Sequence, residues 1–496
     1  MKIIISNQLE QHPDTIIVPV IGNGAHEATL DAIEKHYDIK AAAALRQDFK
    51  AEHAEVHIVY TATQRLYLLG LGTKPSFTDV IRALRSLSYK YRQKLPAQLA
   101  VNLLHSNAGE AFVLWVEAAV TGLLLGTYRI GLFKTTDTGL HPFQQSDASL
   151  TIVVDEAHVP AAQAAATKAT VVAETQMRIF DLVNAPSNKK VPTDLANWAA
   201  DSGKRYNYRV ETWSKEQIIA TGLHALLAVN QGSNLPPSFI IMEYVPKGKP
   251  TCKVGLVGKG VTFDTGGLSI KPSANMHLMK SDMGGAAAVL GAMELVARLQ
   301  LQVHVIGIIP ATENSVDSRS VKPGDVIGSY SGKTIEVIDT DAEGRLILAD
   351  ALAYMVKHFN PDYLIDLATL TGSTVRTFGY HAAAIFSNND QLCEALIRTG
   401  ERTGELLWRL PLWDAYKDDI KSDVADVRNF SGRPVGGAIS AAKFLEAFIG
   451  EHPAWAHLDI AGVALTDSEF SSQKSATAYG VRLLLEFLFE LEKSTN

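Results

Sequence analysis

The chain has 496 residues, 47% of them hydrophobic and 20% charged, with a formal net charge of −7, 15 histidines and two cysteines, Cys252 and Cys393. That length predicts two or three domains rather than one core. The acidic balance gives no general attraction to nucleic acid or to an anionic membrane, and no apolar run reaches the length of a bilayer span. Two widely separated thiols suit a reducing compartment better than a disulfide scaffold. The opening Met1-Lys2-Ile3-Ile4-Ile5-Ser6 lacks the long apolar core of a signal peptide, so a cytoplasmic location is expected.

In chain order, 15–20, 56–60, 66–71, 98–104 and 150–154 read as strands, and 78–91 and 109–127 as helices. The alternation predicts a first α/β domain over 1–160, with a mainly parallel sheet. No phosphate-binding glycine fingerprint follows these strands, so a nucleotide role has no support. An Ala-rich helix over 161–186, stopped at Pro186, leads to a larger C-terminal domain over 187–496. There the strand candidates are 208–211, 238–244, 254–259, 303–309, 334–338, 363–367, 382–386 and 456–460. The helix candidates are 193–203, 215–221, 285–300, 346–358, 390–402, 438–448 and 478–491. The predicted fold is α/β in two domains, each a mainly parallel or mixed sheet flanked by helices. No internal repeat or low-complexity tract is present.

Two stretches carry chemistry. Asp339-Thr340-Asp341-Ala342-Glu343-Gly344-Arg345-Leu346 joins a strand pattern to a helix pattern. Three carboxylates within five residues repel one another unless something cationic sits among them; Arg345 supplies one charge and a multivalent metal would supply the rest. Upstream, the buried-type strand 254–259 runs into a Gly-rich loop with Lys259, Asp264 and, seven residues on, Lys271. Met279-Lys280-Ser281-Asp282-Met283-Gly284-Gly285 then opens an Ala-rich helix. The carboxylates of Asp264, Asp282, Asp341 and Glu343 would be balanced by two divalent cations. Lys259 would add a neutral amine, because an adjacent dication penalises the ammonium form. No histidine falls among these residues, which favours a hard, oxygen-rich site. Lys259, the 341/343 pair and the segment Thr369 to Gly372 each follow a strand candidate, so they can share one crevice at the carboxyl ends of strands.

With these motifs the chain, from about residue 170 to its end, resembles the leucyl aminopeptidases, the two-metal cytosolic aminopeptidase family. The octapeptide matches the family signature with Asp339 in place of its usual Asn. The stretches 258–267, 280–285, 366–372 and 457–462 resemble the family's other motifs. The resemblance implies that Lys259, Asp264, Asp282 and Glu343 hold an exchangeable ion. It likewise implies that Asp264, Asp341 and Glu343 hold its neighbour. The ions would be zinc or manganese, with magnesium or cobalt accepted. It implies that Lys271 stabilises an oxyanion and that Arg345 holds an anion, bicarbonate by analogy, that relays a proton. Met279, Thr369, Leu370, Gly372 and Ala461, with Ala464 where some relatives carry Met, match a pocket for a large apolar N-terminal side chain. Short peptides as substrates and a homohexameric assembly are implied in the same way. Asp339 adds a negative charge near the metals, which would tighten metal binding or shift the pH profile. Ser475 and Ala478 replace glycines common in relatives, with loop packing the expected effect.

Plainer readings stand beside these. Gly pairs at 266–267, 284–285 and 436–437 also serve tight turns. His277 and His381 read as loop or packing residues, Asp325 and Asp459 as loop braces, and Asp366 as structural. A two-metal phosphoester hydrolase is the alternative enzyme, and the octapeptide argues against it. A degenerate relative kept as a structural or DNA-binding assembly is the non-enzyme alternative. Retention of every ligand position counts against that one.

Overall fold

Alternating apolar strands and amphipathic helices need helices on both faces of a sheet to bury them. A computed structural model, describing residues 1–8, 13–22, 26–37, 43–104, 112–136 and 139–493, shows that arrangement twice. The chain divides into two compact units, Met1–Met177 and Arg178–Asn496.

The first unit contains β1 (Lys2–Ser6), β2 (Thr15–Val20), α1 (His26–Tyr37), α2 (Ala43–Asp48), β3 (Val56–Tyr60), β4 (Arg65–Gly70) and α3 (Phe77–Lys90). It continues with β5 (Gln98–Asn102), α4 (Phe112–Leu125), β6 (Ser149–Val153) and the start of α5 (Val159–Asn184). Its sheet has the order β1-β6-β5-β2-β4-β3, and only β3 runs antiparallel to its neighbour. Side chains alternate between two buried faces. Ile17, Tyr67, Val101 and Ile152 pack with α3, α4 and α5, while Ile16, Val18, Leu66 and Leu68 pack with α1 and α2. Ser76 and Asp79 start α3 as a reciprocal cap.

The boundary between units falls inside α5. The second unit contains α6 (Pro192–Tyr206), β7 (Arg209–Trp213), α7 (Lys215–Thr221), α8 (His224–Asn230), β8 (Ser238–Tyr244), β9 (Lys253–Gly258), β10 (Gly260–Asp264), α9 (Gly284–Leu299) and β11 (His304–Asn314). Next come β12 (Val326–Ile327), β13 (Ile335–Glu336), α10 (Glu343–His358), β14 (Tyr363–Ala368), α11 (Gly372–Phe378), β15 (Ala383–Ser387), α12 (Asp390–Thr403) and β16 (Leu407–Arg409). The chain ends with β17 (Val427–Arg428), α13 (Gly437–Glu446), β18 (Trp455–Asp459), β19 (Leu465–Thr466), β20 (Ser475–Ala476) and α14 (Val481–Lys493). The main sheet has the order β16-β15-β18-β14-β9-β11-β8-β7, with β10 added on β11. Its centre, β18-β14-β9-β11 with β10, is parallel, so these strands end at one edge. Ile306 and Ile308 face a cluster built with α8 and α10. Gly307, between them, lies against Val289 and Met293 of α9 on the opposite face.

Several elements differ from the sequence expectation. β1, α1, α2, α8 and α11 are short or weakly periodic and carry no clear pattern. Residues 109–111 of the expected helix 109–127 lie outside the described residues. The expected strand 334–338 shortens to β13, in a separate small sheet with β12 and β17. The octapeptide therefore reaches the main crevice through the start of α10, not from the end of a main-sheet strand. Among the described residues, no helix is long and apolar enough to cross a membrane.

Candidate metal centre

The parallel strands deliver their ends to one place. Lys259 follows β9, Asp264 ends β10, Asn314 ends β11, Thr369 follows β14 and Asp459 ends β18. Two helices start at the same edge: α9 just after Asp282, and α10 with Glu343 as its first residue. A helix N-terminus carries a partial positive charge, which favours carboxylates placed there.

Among the described residues, Asp264, Asp341 and Glu343 form one group whose ligand atoms all lie within 4.8 Å of one another. Lys259 Nζ joins Asp282 to this group, 2.7 Å from Asp282 Oδ2 and 2.8 Å from Glu343 Oε1; it also donates to the Thr369 carbonyl at 3.0 Å. Lys271 Nζ lies 2.9 Å from Asp264 Oδ2 and pairs with Asp341 Oδ1. Four carboxylates against two ammonium groups leave the cluster net negative. The side chains of Lys259, Asp264 and Glu343 are at most 3% exposed, while Asp341 is 34% exposed at the mouth.

The loops fit closely around the cluster. Gly266 has φ +87° and Gly267 φ +63°, and a Cβ on Gly266 would come within 2.8 Å of Asp341 Oδ1. At Gly344 a Cβ would sit 2.5 Å from Lys259 Cε, so only glycine lets the lysine reach Glu343 there.

The neighbours are specific. Asp264 Oδ1 accepts from the Gly266 amide and from Asn314 Nδ2, both at 2.8 Å. The same Asn314 nitrogen donates to the Thr340 carbonyl at 3.0 Å, and the Thr340 hydroxyl donates to the Gly266 carbonyl at 2.7 Å. Thr369 Oγ1 donates to Asp282 Oδ1 at 2.7 Å. By contrast, Asp282 Oδ2, Asp341 Oδ1 and both Glu343 oxygens are buried and accept no well-directed hydrogen bond; lysine nitrogens approach them only as ion pairs. Buried carboxylate oxygens left open in this way cost stability unless another cation fills the space, so the residues fit divalent metal.

Electrostatics follow the burial. Burial, then the nearby Asp264 and Glu343, push the Asp341 carboxyl up to about 7. Burial and Asp264 raise Glu343, and burial raises Asp282 well above the usual range despite Lys259. Burial opposes the ammonium forms of Lys259 and Lys271, yet the surrounding carboxylates outweigh it and hold both pKa values above normal. Arg345 is fully buried, which lowers its pKa to about 10. Its Nη1 donates to the Asn429 carbonyl at 2.7 Å, while Nε has no partner.

The residues expected to receive the N-terminal side chain lie around the same edge. Met279 and Asp282 share a 3-10 turn, Met276–Ser281, and its end. A Cβ on Gly284 would lie 3.1 Å from Ala464 and 3.3 Å from the Thr369 methyl. The Leu370 and Ala461 amides both donate to Asp459 Oδ1, and Gly372 begins α11. Asp459 is a brace: Thr371 and Thr374 hydroxyls fill its other oxygen. Asp366 accepts from Trp455 Nε1 and pairs with His457, and Asp325 caps a turn through the Lys322 amide. His277 and His381 are exposed. Asp339 Oδ1 accepts from the Asp341 amide at 2.8 Å, a bond an Asn oxygen makes equally well. Asn314, Thr340 and Asn429 were not singled out from sequence. The strand candidate 303–309 stops short of Asn314, which ends the longer β11.

A cluster of carboxylates at the carboxyl ends of parallel strands, flanked by two helix N-termini, suits a metal-dependent hydrolase. Comparison with known proteins gives the family. The description "Cytosol aminopeptidase family, catalytic domain" matches residues 178–485. A probable cytosol aminopeptidase of Chloroherpeton thalassium is 41% identical, over 95% of this chain and 99% of that protein; one from Chlorobium limicola is 42% identical over 96% of each. A tomato leucine aminopeptidase variant superposes with a TM-score of 0.87 at 31% identity, covering 99% of this chain and 96% of that one. The bottromycin maturation enzyme BotP in complex with Mn gives 0.83 at 30% identity, covering 97% and 99%. The chain belongs to the cytosol aminopeptidase family. It is a leucyl aminopeptidase-type peptidase, a metal-dependent hydrolase acting at the N-termini of peptides.

Proposed function

We propose that this peptidase uses two divalent cations, zinc or manganese, with magnesium or cobalt as substitutes. It removes Leu, Met and other large apolar residues from the N-termini of short peptides. Lys259, Asp264, Asp282 and Glu343 would hold one ion, and Asp264, Asp341 and Glu343 the other. The observation that carries this reading is the set of buried oxygens on Asp282, Asp341 and Glu343, beside Asp264, that accept no well-directed hydrogen bond and face only lysine ammonium groups. Bound there, two such ions supply an activated water and polarise the scissile carbonyl.

The chain's own groups divide the remaining work. Lys271, which faces Asp264 and Asp341, would stabilise as an ammonium the oxyanion that develops on the carbonyl. Arg345 presents an unpartnered, buried Nε to an anion, bicarbonate by family resemblance. An anion held there would supply the proton carrier that cation-engaged carboxylates, which are poor bases, do not. Met279, Thr369, Leu370, Gly372 and Ala461 line the slot for the N-terminal side chain. Ala464 leaves it roomy, so preference among apolar residues is broad, about 1–3 kcal/mol per methylene-scale change.

The test is metal analysis of the purified protein together with hydrolysis of a dipeptide panel before and after chelation. Preferred release of Leu and Met, lost on chelation and restored by Mn2+ or Zn2+, is the expected result. A panel ranked with Asp or Glu first overturns the specificity. Assembly as a homohexamer in the cytoplasm belongs to the same reading, and sedimentation velocity measures the first part. The acidic net charge offers DNA no general attraction; a gel shift at physiological salt tests for a local basic surface.

A further inference from the structure

Asp282 is held differently from Asp264 and Glu343. Asp264 ends a strand, and Glu343 starts a 16-residue helix. Asp282 follows the six-residue 3-10 turn Met276–Ser281, entered through Asn275 in the left-handed region at φ +65°. Short 3-10 turns have poor hydrogen-bond geometry and do not fix their own position. Within itself it is tied by local bonds such as the Ser281 hydroxyl to the Leu278 carbonyl. Its placement comes from contacts with distant residues. Thr369 grips the Asp282 carboxylate itself.

A buried exchange between two lysines grips the backbone. Lys190, only 1% exposed, donates its Nζ to the Lys280 carbonyl, at the C-terminal end of the turn. Lys280 in return donates its own Nζ to the carbonyl of Asn184, the last residue of α5, at 2.9 Å. Each nitrogen satisfies a carbonyl at a helical C-terminus, where cations are favoured. The Asn184 side chain extends the junction: its Oδ1 accepts from the Ala476 amide at 3.0 Å. Ala476 pairs with Leu465, next to the pocket residue Ala464. The turn bearing Met279 and Asp282 and the hairpin beyond Ala464 thus share one anchor.

A buried lysine facing a second lysine is an expensive way to fill space. Burial, reinforced by Lys280, brings the Lys190 amine down to about 7. The nitrogen keeps hydrogens to donate in either charge state. A Met or Leu would fill the same volume without that cost but would leave the Lys280 carbonyl unmatched.

We infer that Lys190 is a positioning residue of the peptidase site, fixing the Lys280 carbonyl and thereby where Asp282 and Met279 stand. This rests on the proposal that Asp282 is a metal ligand.

The test is Mn2+ titration of metal-stripped, full-length protein, followed by paramagnetic resonance of free Mn2+, with thermal melting in parallel. Lys190→Met should weaken Mn2+ binding by about 10–100-fold, the usual effect of losing support behind a ligand. Lys190→Gln, whose amide still donates, should recover part of the loss. Lys443→Met, removing another buried lysine remote from these carboxylates, should lower the melting temperature and leave Mn2+ affinity alone. A folded Lys190→Met protein with wild-type Mn2+ affinity and only a lower melting temperature overturns the inference. If Lys190→Met does not fold, Lys190→Gln decides: unchanged affinity overturns it and weakened affinity supports it. A wild type that binds no Mn2+ removes the two-metal proposal, and this inference with it. A wild type that binds Mn2+ as Lys190→Met does removes this inference alone.

Discussion

Glu343 and Asp350 stand two turns apart on the same helix, α10, and both are fully buried. Asp350 is saturated: its oxygens accept the Leu226 amide at 3.0 Å and the Tyr330 amide at 2.7 Å, tying α8 and a loop to the helix. Neither oxygen of Glu343 receives a well-directed hydrogen bond. Burial is therefore common to both carboxylates, and the supply of well-directed hydrogen bonds separates them. The same contrast distinguishes Asp459, whose oxygens are filled by threonine hydroxyls and backbone amides, from Asp282.

The sharpest way to break that comparison is Glu343→Gln. It should lower kcat/KM by about 10³-fold, near 4 kcal/mol of transition-state stabilisation. The metal-free melting temperature should hold or rise, because a crowded buried charge is removed. A melting temperature that falls while peptide hydrolysis survives would make Glu343 a second Asp350. Lys271→Ala comes next. It should lower kcat by about 10²-fold with KM little changed, since its charge acts as the oxyanion forms; intact kcat would remove that role.

Asp350→Asn should do the reverse of the Glu343 change. It should destabilise the fold by about 1–3 kcal/mol through an imperfectly filled pair of amides and leave kcat nearly intact. It also sharpens the comparison through pH. Burial raises the Asp350 carboxyl to about 7 from an unfolded value near 3.8. A raised carboxyl favours the folded state while protonated, so its contribution is complete below about pH 4. It is lost as pH rises through about 7. Wild type should lose melting temperature across that window relative to Asp350→Asn; parallel curves would show that the carboxyl does not titrate there.

The smallest expected effect concerns Ala478, a non-glycine residue held at φ +55°. Ala478→Gly should relieve left-handed strain and raise stability by about 0.5–1 kcal/mol, measured by thermal melting.

The sequence was most legible where chemistry is local. The octapeptide, the 258–271 loop and the 279–285 segment are each contiguous, so Lys259, Asp264, Lys271, Asp282, Asp341, Glu343 and Arg345 could be named before any coordinates. Long apolar strands such as β8 and β14, and strongly periodic helices such as α3 and α12, were legible for the same reason. The supports were not. Asn314 lies 50 residues from Asp264, and Asn429 lies 84 from Arg345. A lone polar residue carries no sign of such a partner.

By itself the sequence determined which residue types bear the chemistry, because motif spacing and hydrophobic period are properties of neighbouring residues. Tertiary structure alone decided which carboxylates keep open oxygens and which are saturated. It also decided that Lys190 sits under the turn before Asp282 and that β13 leaves the main sheet. Those outcomes depend on hydrogen-bond partners brought together from distant segments, and local pattern does not encode which distant group arrives.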